Sequence, residues 1–176
     1  LFDLGDLILE SAFLPSSGNN SIKGFLKIKG NARLDRSAFL NVDTTLISDT
    51  SFLGKYGYDD RDRFLNSISF EKFSNRSSLR ASTLYHTSLR DSNTVEPLVL
   101  PDLRYRKYWK FKKSGLLLSE KYSLVGISRQ AGTGYSRLSA DLELSKSWQT
   151  ENGLIVRGTG NVLTAAYSEN NINTER

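Results

Sequence analysis

The sequence contains no cysteine and no methionine, only three prolines, and a single histidine, His86. Without cysteine these residues form no disulfide bonds and offer no thiolate metal ligands, and a lone histidine does not make a zinc or haem site. No serine, cysteine or carboxylate lies at a recognisable spacing from His86 that would complete a nucleophilic catalytic set. We therefore interpret His86 as a histidine on the polar face of a strand, and we expect no cofactor and no enzymatic activity.

Long hydrophobic runs are also absent. No stretch approaches the roughly 20 apolar residues that a transmembrane helix needs. Residues 1–6 have neither the basic start nor the apolar core of a signal peptide, and residues 170–176 form a polar tail like that of an excised loop. These features lead us to expect that the 176 residues are a fragment of a longer protein.

The net charge of +5 comes from basic residues scattered singly over polar positions and turns. Nucleic-acid-binding proteins usually cluster lysine and arginine in a stripe, so we expect no nucleic-acid partner. One stretch, Asp102–Lys110, interleaves aromatic and basic residues in a way that could stack on single-stranded nucleic acid. It is also typical of an interfacial girdle, where Tyr and Trp lie between apolar and wet surroundings with basic side chains beside them. The neighbouring strands favour the girdle.

Apolar and polar residues alternate with a period of two through most of the chain, which predicts β-strands. The clearest alternation is in Tyr135–Trp148, and Ser74-Asn75 predicts a tight hairpin turn between two neighbouring strands. The other predicted strands are Leu4–Leu14, Ile22–Gly30, Arg36–Ser48, Phe64–Phe73, Arg76–Leu89, Asp102–Lys110, Leu116–Ser128 and Leu154–Tyr167.

Two long connections separate these strands. Residues 49–63 are too rich in Gly, Asp and Arg for a strand and too irregular for an amphipathic helix, so we expect a loop. Glu96–Tyr105 contains Pro97 and Pro101, and because proline removes a backbone donor we expect a loop entering an extended segment, outside any paired central strand. A shorter turn is predicted at Arg129–Gly134.

A calcium site is a hypothesis that the sequence disfavours. Asp60, Asp62 and Glu71 have the first, third and twelfth spacing of an EF-hand loop. Phe64 and Leu65 occupy the positions where that loop needs a ligand and a glycine. The expected metal content is therefore none.

The predicted strands are about ten to fourteen residues long, whereas strands of soluble sheets typically have about five or six. A tilted strand needs about 9 to 11 residues to cross a bilayer, and all its backbone groups must pair with neighbouring strands. The pattern therefore predicts an all-β fold whose antiparallel up-and-down strands form part of the wall of a transmembrane β-barrel. A soluble sandwich or lipocalin-like barrel, and a small complete outer-membrane barrel, remain open alternatives from the pattern alone.

Strand parity assigns side chains to the two faces of such a wall. The polar residues that we expect to face the lumen are Ser67, Ser69, Glu71, Arg80, His86, Arg137, Asp141 and Glu143. The apolar residues that we expect to face lipid are Ile68, Phe70, Leu79, Leu138, Leu142 and Leu144.

Several short segments stand in a characteristic order between about Ile22 and Tyr167. They are Val42-Asp43, Leu46–Leu53, Tyr56–Asp62, Glu71–Phe73, Leu89–Asp91 and, as the most specific, Glu96–Pro101. In this order and spacing they resemble the barrel portion of the lipopolysaccharide-assembly outer-membrane proteins of the LptD (OstA) family, in its alphaproteobacterial form.

The resemblance implies that residues 1–176 are a partial outer-membrane β-barrel domain, with the N-terminal periplasmic domain and later barrel strands lying outside it. It implies transport of lipopolysaccharide and its insertion into the outer leaflet of the outer membrane of a Gram-negative bacterium, without covalent chemistry. The implied partners are lipopolysaccharide, membrane lipid, an LptE-like plug lipoprotein and the proteins of the periplasmic Lpt bridge. The alternative is a soluble or small outer-membrane β-barrel module with a binding or structural role.

Overall fold

The structure, a computed structural model, describes residues 3–15, 22–90, 96–129 and 132–172. Within these ranges the chain forms nine β-strands and one short helix. Their bounds are β1 Asp3–Pro15, β2 Ile22–Asp35, β3 Ala38–Ile47, α1 Phe52–Lys55, β4 Arg63–Ser74, β5 Ser77–Ser88, β6 Leu98–Phe111, β7 Leu116–Ser128, β8 Gly132–Gln149 and β9 Ile155–Ile172. No helix in the described ranges is long and apolar enough to cross a membrane.

The strands form one antiparallel sheet in the order β1 to β9, so each of β2 to β8 pairs with the strands before and after it in the chain. The predicted all-β, up-and-down architecture is confirmed. The strands are 10 to 18 residues long, well above the length usual in soluble sheets. Within the described ranges β1 and β9 each have a strand on one side only, so the sheet is open, consistent with part of a barrel wall.

The connections at the two ends of the sheet differ in length. At one end, which we call the short-turn end, the connections are residues 36–37, 75–76, 112–115 and 150–154. At the other, which we call the long-loop end, they are residues 16–21, 48–62, 89–97 and 129–131, of which all but the last are longer than any connection at the short-turn end.

The predicted turn Arg129–Gly134 is wrong from Gly132 onward, since β8 begins there and pairs with the end of β9. Gly134 suits this position because a Cβ there would lie 2.9 Å from the carbonyl oxygen of Ile127 in β7. Residues that suggest a turn in the sequence therefore allow two paired strands to approach each other closely.

The prediction that the two prolines of Glu96–Tyr105 lie outside any paired central strand is wrong for Pro101, whereas Pro97 lies just before β6 and the predicted strand Asp102–Lys110 falls within it. β6 begins at Leu98, includes Pro101, and pairs with both β5 and β7. Both ladders shift register between Val99 and Asp102. Pro101 therefore lies in a bulge, where its missing N–H does not break a regular ladder.

Gly126 of β7 makes room for this bulge. A Cβ at Gly126 would lie 2.7 Å from the carbonyl oxygen of Leu100 and 3.2 Å from Cδ of Pro101. Because the nearest atom belongs to the backbone of a paired strand, it has little freedom to move away. The proline in β6 and the glycine in β7 are thus one packing unit.

We predict that Gly126→Ala lowers the free energy of unfolding by about 1 to 3 kcal/mol, because the added methyl group overlaps the Leu100 carbonyl. The measurement is thermal unfolding of the full-length protein in detergent, followed by the heat-dependent change in its gel mobility. Gly160→Ala is the matched control, since no atom lies within 4 Å of a Cβ there. Equal midpoints for the two variants would contradict the role of Gly126.

Candidate functional site

One face of the sheet is polar, and the strand register traces it across five strands. Glu71 is opposite Arg80, Arg80 is opposite Arg104, Arg104 is opposite Ser123, and Ser123 is opposite Ser139. Directly opposed residues of an antiparallel pair project from the same face. We call this surface the polar face.

The eight residues that the sequence places together by parity do share the polar face. Ser67, Ser69 and Glu71 alternate along β4, Arg80 and His86 lie at matching positions of β5, and Arg137, Asp141 and Glu143 alternate along β8. Ion pairs cross between strands on this face. Examples are Arg80 to Glu71 at 3.3 Å and Lys121 to Asp141 at 3.0 Å.

The opposite face is apolar, and we call it the apolar face. A row across it runs from Leu79 to Tyr105, from Tyr105 to Tyr122, and from Tyr122 to Ala140. All six residues predicted to share an apolar surface lie on this side by register. They are Ile68, Phe70, Leu79, Leu138, Leu142 and Leu144. Leu138 is 56% exposed, so no described part of the chain covers it.

Aromatic residues concentrate on the apolar face near the short-turn end. Trp109 in β6 and Trp148 in β8 each follow a lysine two positions earlier on the same face. The Lys107 ammonium lies 3.7 Å from the Trp109 ring centroid, and the Lys146 ammonium lies 5.4 Å from the Trp148 ring centroid. This repeated arrangement is what the girdle interpretation of Asp102–Lys110 requires.

Residues 48–62, which we call the 48–62 segment, pack against the polar face at the long-loop end. The segment contacts β2 around Phe25. Register connects Phe25 to the polar face, because Lys29, on the same side of β2, is opposite Asp43, which is opposite Ser67. The expectation of a plain loop here is wrong in one respect, since the segment contains α1.

A buried aromatic cluster holds the 48–62 segment in place. Phe52 and Leu53 of α1 pack with Phe25 and Phe64, and these four side chains are at most 3% exposed. The Tyr58 ring lies 5.0 Å from the Phe25 ring and 6.1 Å from the Phe52 ring, centroid to centroid. The sequence signal for this cluster is the adjacent pair Phe52-Leu53 followed by tyrosine, which a search for regular periodicity does not detect.

Hydrogen-bonded charged side chains also stabilise the 48–62 segment. Lys23 contacts the Asp49 carboxylate at 2.6 Å, and Ser51 donates to the same carboxylate from its N–H and hydroxyl. Hydrogen bonds from Lys23 and Ser51 lower the pKa of Asp49 to about 2. The Arg61 guanidinium, 2.7 Å from Asp59, likewise lowers the pKa of Asp59 to about 2.

A groove of about 460 Å³ lies on the polar face between β4 and β9. Of the eight residues predicted to face the lumen, Glu71, Arg80 and Asp141 line it, and the other five lie elsewhere on the face. Leu79, Tyr105 and Tyr122, which the register places on the apolar face, also contribute to its lining. Sequence reasoning missed the contributions of β6 and β7, which include Arg106 and Lys121. Parity separates Arg106 from the apolar residues of β6, but both faces of β7 are mixed, so its sequence alone does not orient it.

The described residues contain no group of three or more His, Asp or Glu side chains that could hold a metal ion. The EF-hand spacing does not correspond to a single loop, since Glu71 lies within β4. Asp62 pairs with Arg90 at 2.5 Å and Glu71 pairs with Arg80.

Comparison with protein-family models gives a match over residues 21–175 to the family described as "LptD: LPS transport system D". The match includes β2 to β9 in full and confirms the resemblance seen in the sequence. A comparison with curated proteins gives no match.

We predict that the 48–62 segment loosens in acid. Asp49 and Asp59 ionise more readily in the folded segment than in an unfolded chain, where the pKa of Asp is about 3.9. Their contribution is therefore complete above about pH 4 and is lost as the pH falls toward 2. Pepsin cleavage of the full-length protein at Phe52-Leu53 should rise over this range.

The matched variants separate this effect from the pH dependence of pepsin itself. Asp49→Asn with Asp59→Asn should allow cleavage already at pH 4, because the ion pairs are absent. Asp60→Asn, which changes a neighbouring exposed carboxylate, should behave like the native protein. Equal cleavage of all three proteins at pH 4 would contradict the proposed anchoring.

Proposed function

The chain belongs to the LptD family of lipopolysaccharide transport proteins, and on that premise we propose that its sheet is part of the wall of an outer-membrane β-barrel that delivers lipopolysaccharide to the outer leaflet. The observation that carries the proposal is the family match over eight long strands that have one polar and one apolar face. Members of the family transport and assemble lipopolysaccharide and are not enzymes. The function therefore requires a path for the transported molecule and no covalent step.

The domain assignment follows from the open sheet. A membrane barrel leaves no strand edge unpaired, because lipid offers no hydrogen bonds to backbone groups. Both β1 and β9 need further strands beyond those described. We therefore assign residues 1–176 to a partial barrel domain, with the remaining strands and the N-terminal periplasmic domain supplied by other parts of a longer protein.

We assign the two faces of the sheet to the two environments on either side of a barrel wall. The polar face, with Ser67, Glu71, Arg80 and Asp141, is assigned to the water-filled lumen, where its ion pairs remain partly solvated. The apolar face is assigned to lipid, where exposed leucine side chains such as Leu138 cost nothing. A soluble module would present the same face to water as a large apolar patch, which favours association or precipitation.

The orientation in the membrane follows from the connections. Membrane barrels have short turns on the periplasmic side and longer loops outside the cell. The short-turn end, with Trp109 and Trp148, is therefore assigned to the periplasmic interface. The 48–62 segment then lies at the outer end of the lumen, and the proposed localisation is the outer membrane of a Gram-negative bacterium.

The proposed partners are those that membership of the family implies. They are lipopolysaccharide as the transported molecule, membrane lipid around the wall, an LptE-like lipoprotein in the lumen, and the proteins of the periplasmic bridge that deliver lipopolysaccharide. The family match supports an interaction with lipopolysaccharide and other components of the transport system at the level of the family.

The direct test is depletion of the full-length protein in its own bacterium. Lipopolysaccharide detected by antibody on intact cells should fall while total cellular lipopolysaccharide is maintained, and re-expression of the native protein should restore it. Surface levels of an unrelated outer-membrane barrel, measured in parallel, control for general envelope damage. Unchanged surface lipopolysaccharide after depletion would refute the proposed function.

We predict different effects from two neighbouring substitutions in β8. Leu142→Arg places a charge on the lipid face and should cost about 2 to 4 kcal/mol near the bilayer midplane, whereas Asp141→Asn changes a lumen residue and should be mild. The measurement is the folded fraction of the full-length protein refolded into lipid vesicles, assayed by gel mobility without heating. Equal folded fractions would contradict the assignment of the faces.

A further inference from the structure

The groove on the polar face has a basic rim that the wall itself does not fully neutralise. Arg80, Arg104, Arg106 and Lys121 line it. Arg80 pairs with Glu71, and Lys121 pairs with Asp141. In all three ion pairs of the rim the basic side chain is at least 38% exposed, so each cation remains accessible to a ligand.

Arg104 and Arg106 project side by side from β6 but differ in their partners. Arg104 donates from Nε and Nη2 to the buried Asp102 carboxylate, at 3.0 and 3.1 Å, and Ser82 donates to the same carboxylate. Arg106 makes no ion pair with any part of the chain that the structure describes. Four cations therefore face three carboxylates, and the surplus positive charge lies at Arg106.

Small hydroxylated side chains also line the groove. Ser78, Ser123 and Ser139 line it, and the hydroxyl oxygens of Ser123 and Ser139 lie 2.6 Å apart in a hydrogen bond. Phe73, Leu79, Tyr105, Tyr122 and Leu163 add apolar and aromatic surface to the lining. Hydroxyl groups beside apolar surface suit a sugar ring, which has both kinds of edge, and guanidinium groups suit phosphate or carboxylate substituents.

We propose that this groove is a binding subsite for the anionic, phosphate-bearing saccharide portion of lipopolysaccharide. The inference rests on the proposed function, and it adds the part of the molecule that is bound and the residues that bind it. The four cations that line the groove favour the anionic portion of the molecule over its uncharged acyl chains. In the assigned orientation Phe73 and Ser78 adjoin the turn at residues 75–76, so the groove lies toward the periplasmic half of the lumen.

The test uses the full-length protein purified with its lumenal partner in detergent. The probe is the water-soluble phosphorylated saccharide released from lipopolysaccharide by mild acid, and its binding is measured by calorimetry. Arg106→Gln should weaken binding about tenfold, since a charge-assisted hydrogen bond is lost. Lys112→Gln, in the exposed turn after β6, is the matched control and should bind like the native protein.

Two further arms identify the chemistry of the ligand. The same saccharide after enzymatic dephosphorylation should bind weakly and should not distinguish Arg106→Gln from the native protein. Inorganic phosphate alone should compete only at much higher concentration. Binding of inorganic phosphate as tight as that of the saccharide would overturn the subsite and leave a general anion site.

A photo-crosslinking amino acid at Ser123 identifies the occupant in living cells. Crosslinks to lipopolysaccharide are expected, and crosslinks only to the lumenal lipoprotein would overturn the proposal, because an acidic protein segment would then be the ligand. Native saccharide affinity in folded Arg106→Gln would overturn it as well. The depletion experiment is independent of this residue, so a failed subsite and a failed transport function give distinguishable results.

Discussion

Antiparallel backbone pairing between neighbours in the chain is the constraint on which the rest of this structure depends. Because every strand pairs only with its neighbours in the chain, alternate side chains are committed to opposite faces wherever the pairing is regular. The polar row from Glu71 to Ser139 and the apolar row from Leu79 to Ala140 are consequences of that register. A shift of one residue in any ladder would exchange the two surfaces.

Local departures from regular pairing provide the special features of the wall. The bulge at Pro101 brings Asp102 into a buried position beside Ser82, where Arg104 neutralises it. At the long-loop end, pairing between β3 and β4 stops after Asp43, and Asn66 accepts hydrogen bonds there from the backbone N–H of Thr45 at 2.6 Å and from a threonine hydroxyl. The separation of the two strands coincides with the place where the 48–62 segment packs.

Much of the fold is predictable from the sequence because strand alternation is a local signal. Tyr135–Trp148 lies within β8, and the parity of Leu138, Leu142 and Leu144 requires only knowledge of this one strand. Pro101 is different, since its place in a central strand depends on Gly126, which lies in the next strand and carries no sign of its role. A rule for proline in a single strand cannot anticipate a partner that makes room for it.

The candidate site shows the same distinction. Glu71, Arg80 and Asp141 are predictable as members of one polar surface, but the groove also needs Arg106 and Lys121, and β7 has no clear parity. The 48–62 segment depends on Phe25, an aromatic residue on the face of β2 that carries its lysines. Its presence there is explained by the packing of Phe52 and Tyr58 against it. Contacts between segments distant in sequence supply what local patterns lack.

The central claim is that one face of the sheet meets lipid and the other meets the water of the lumen. Spin labels on single cysteines at positions 138 to 144, in the full-length protein in lipid vesicles with other reactive cysteines removed, test it directly. Collisions with oxygen should peak at 138, 140, 142 and 144, and collisions with a water-soluble nickel complex should peak at 139, 141 and 143. Uniform access of the nickel complex to every position would contradict a membrane-embedded wall.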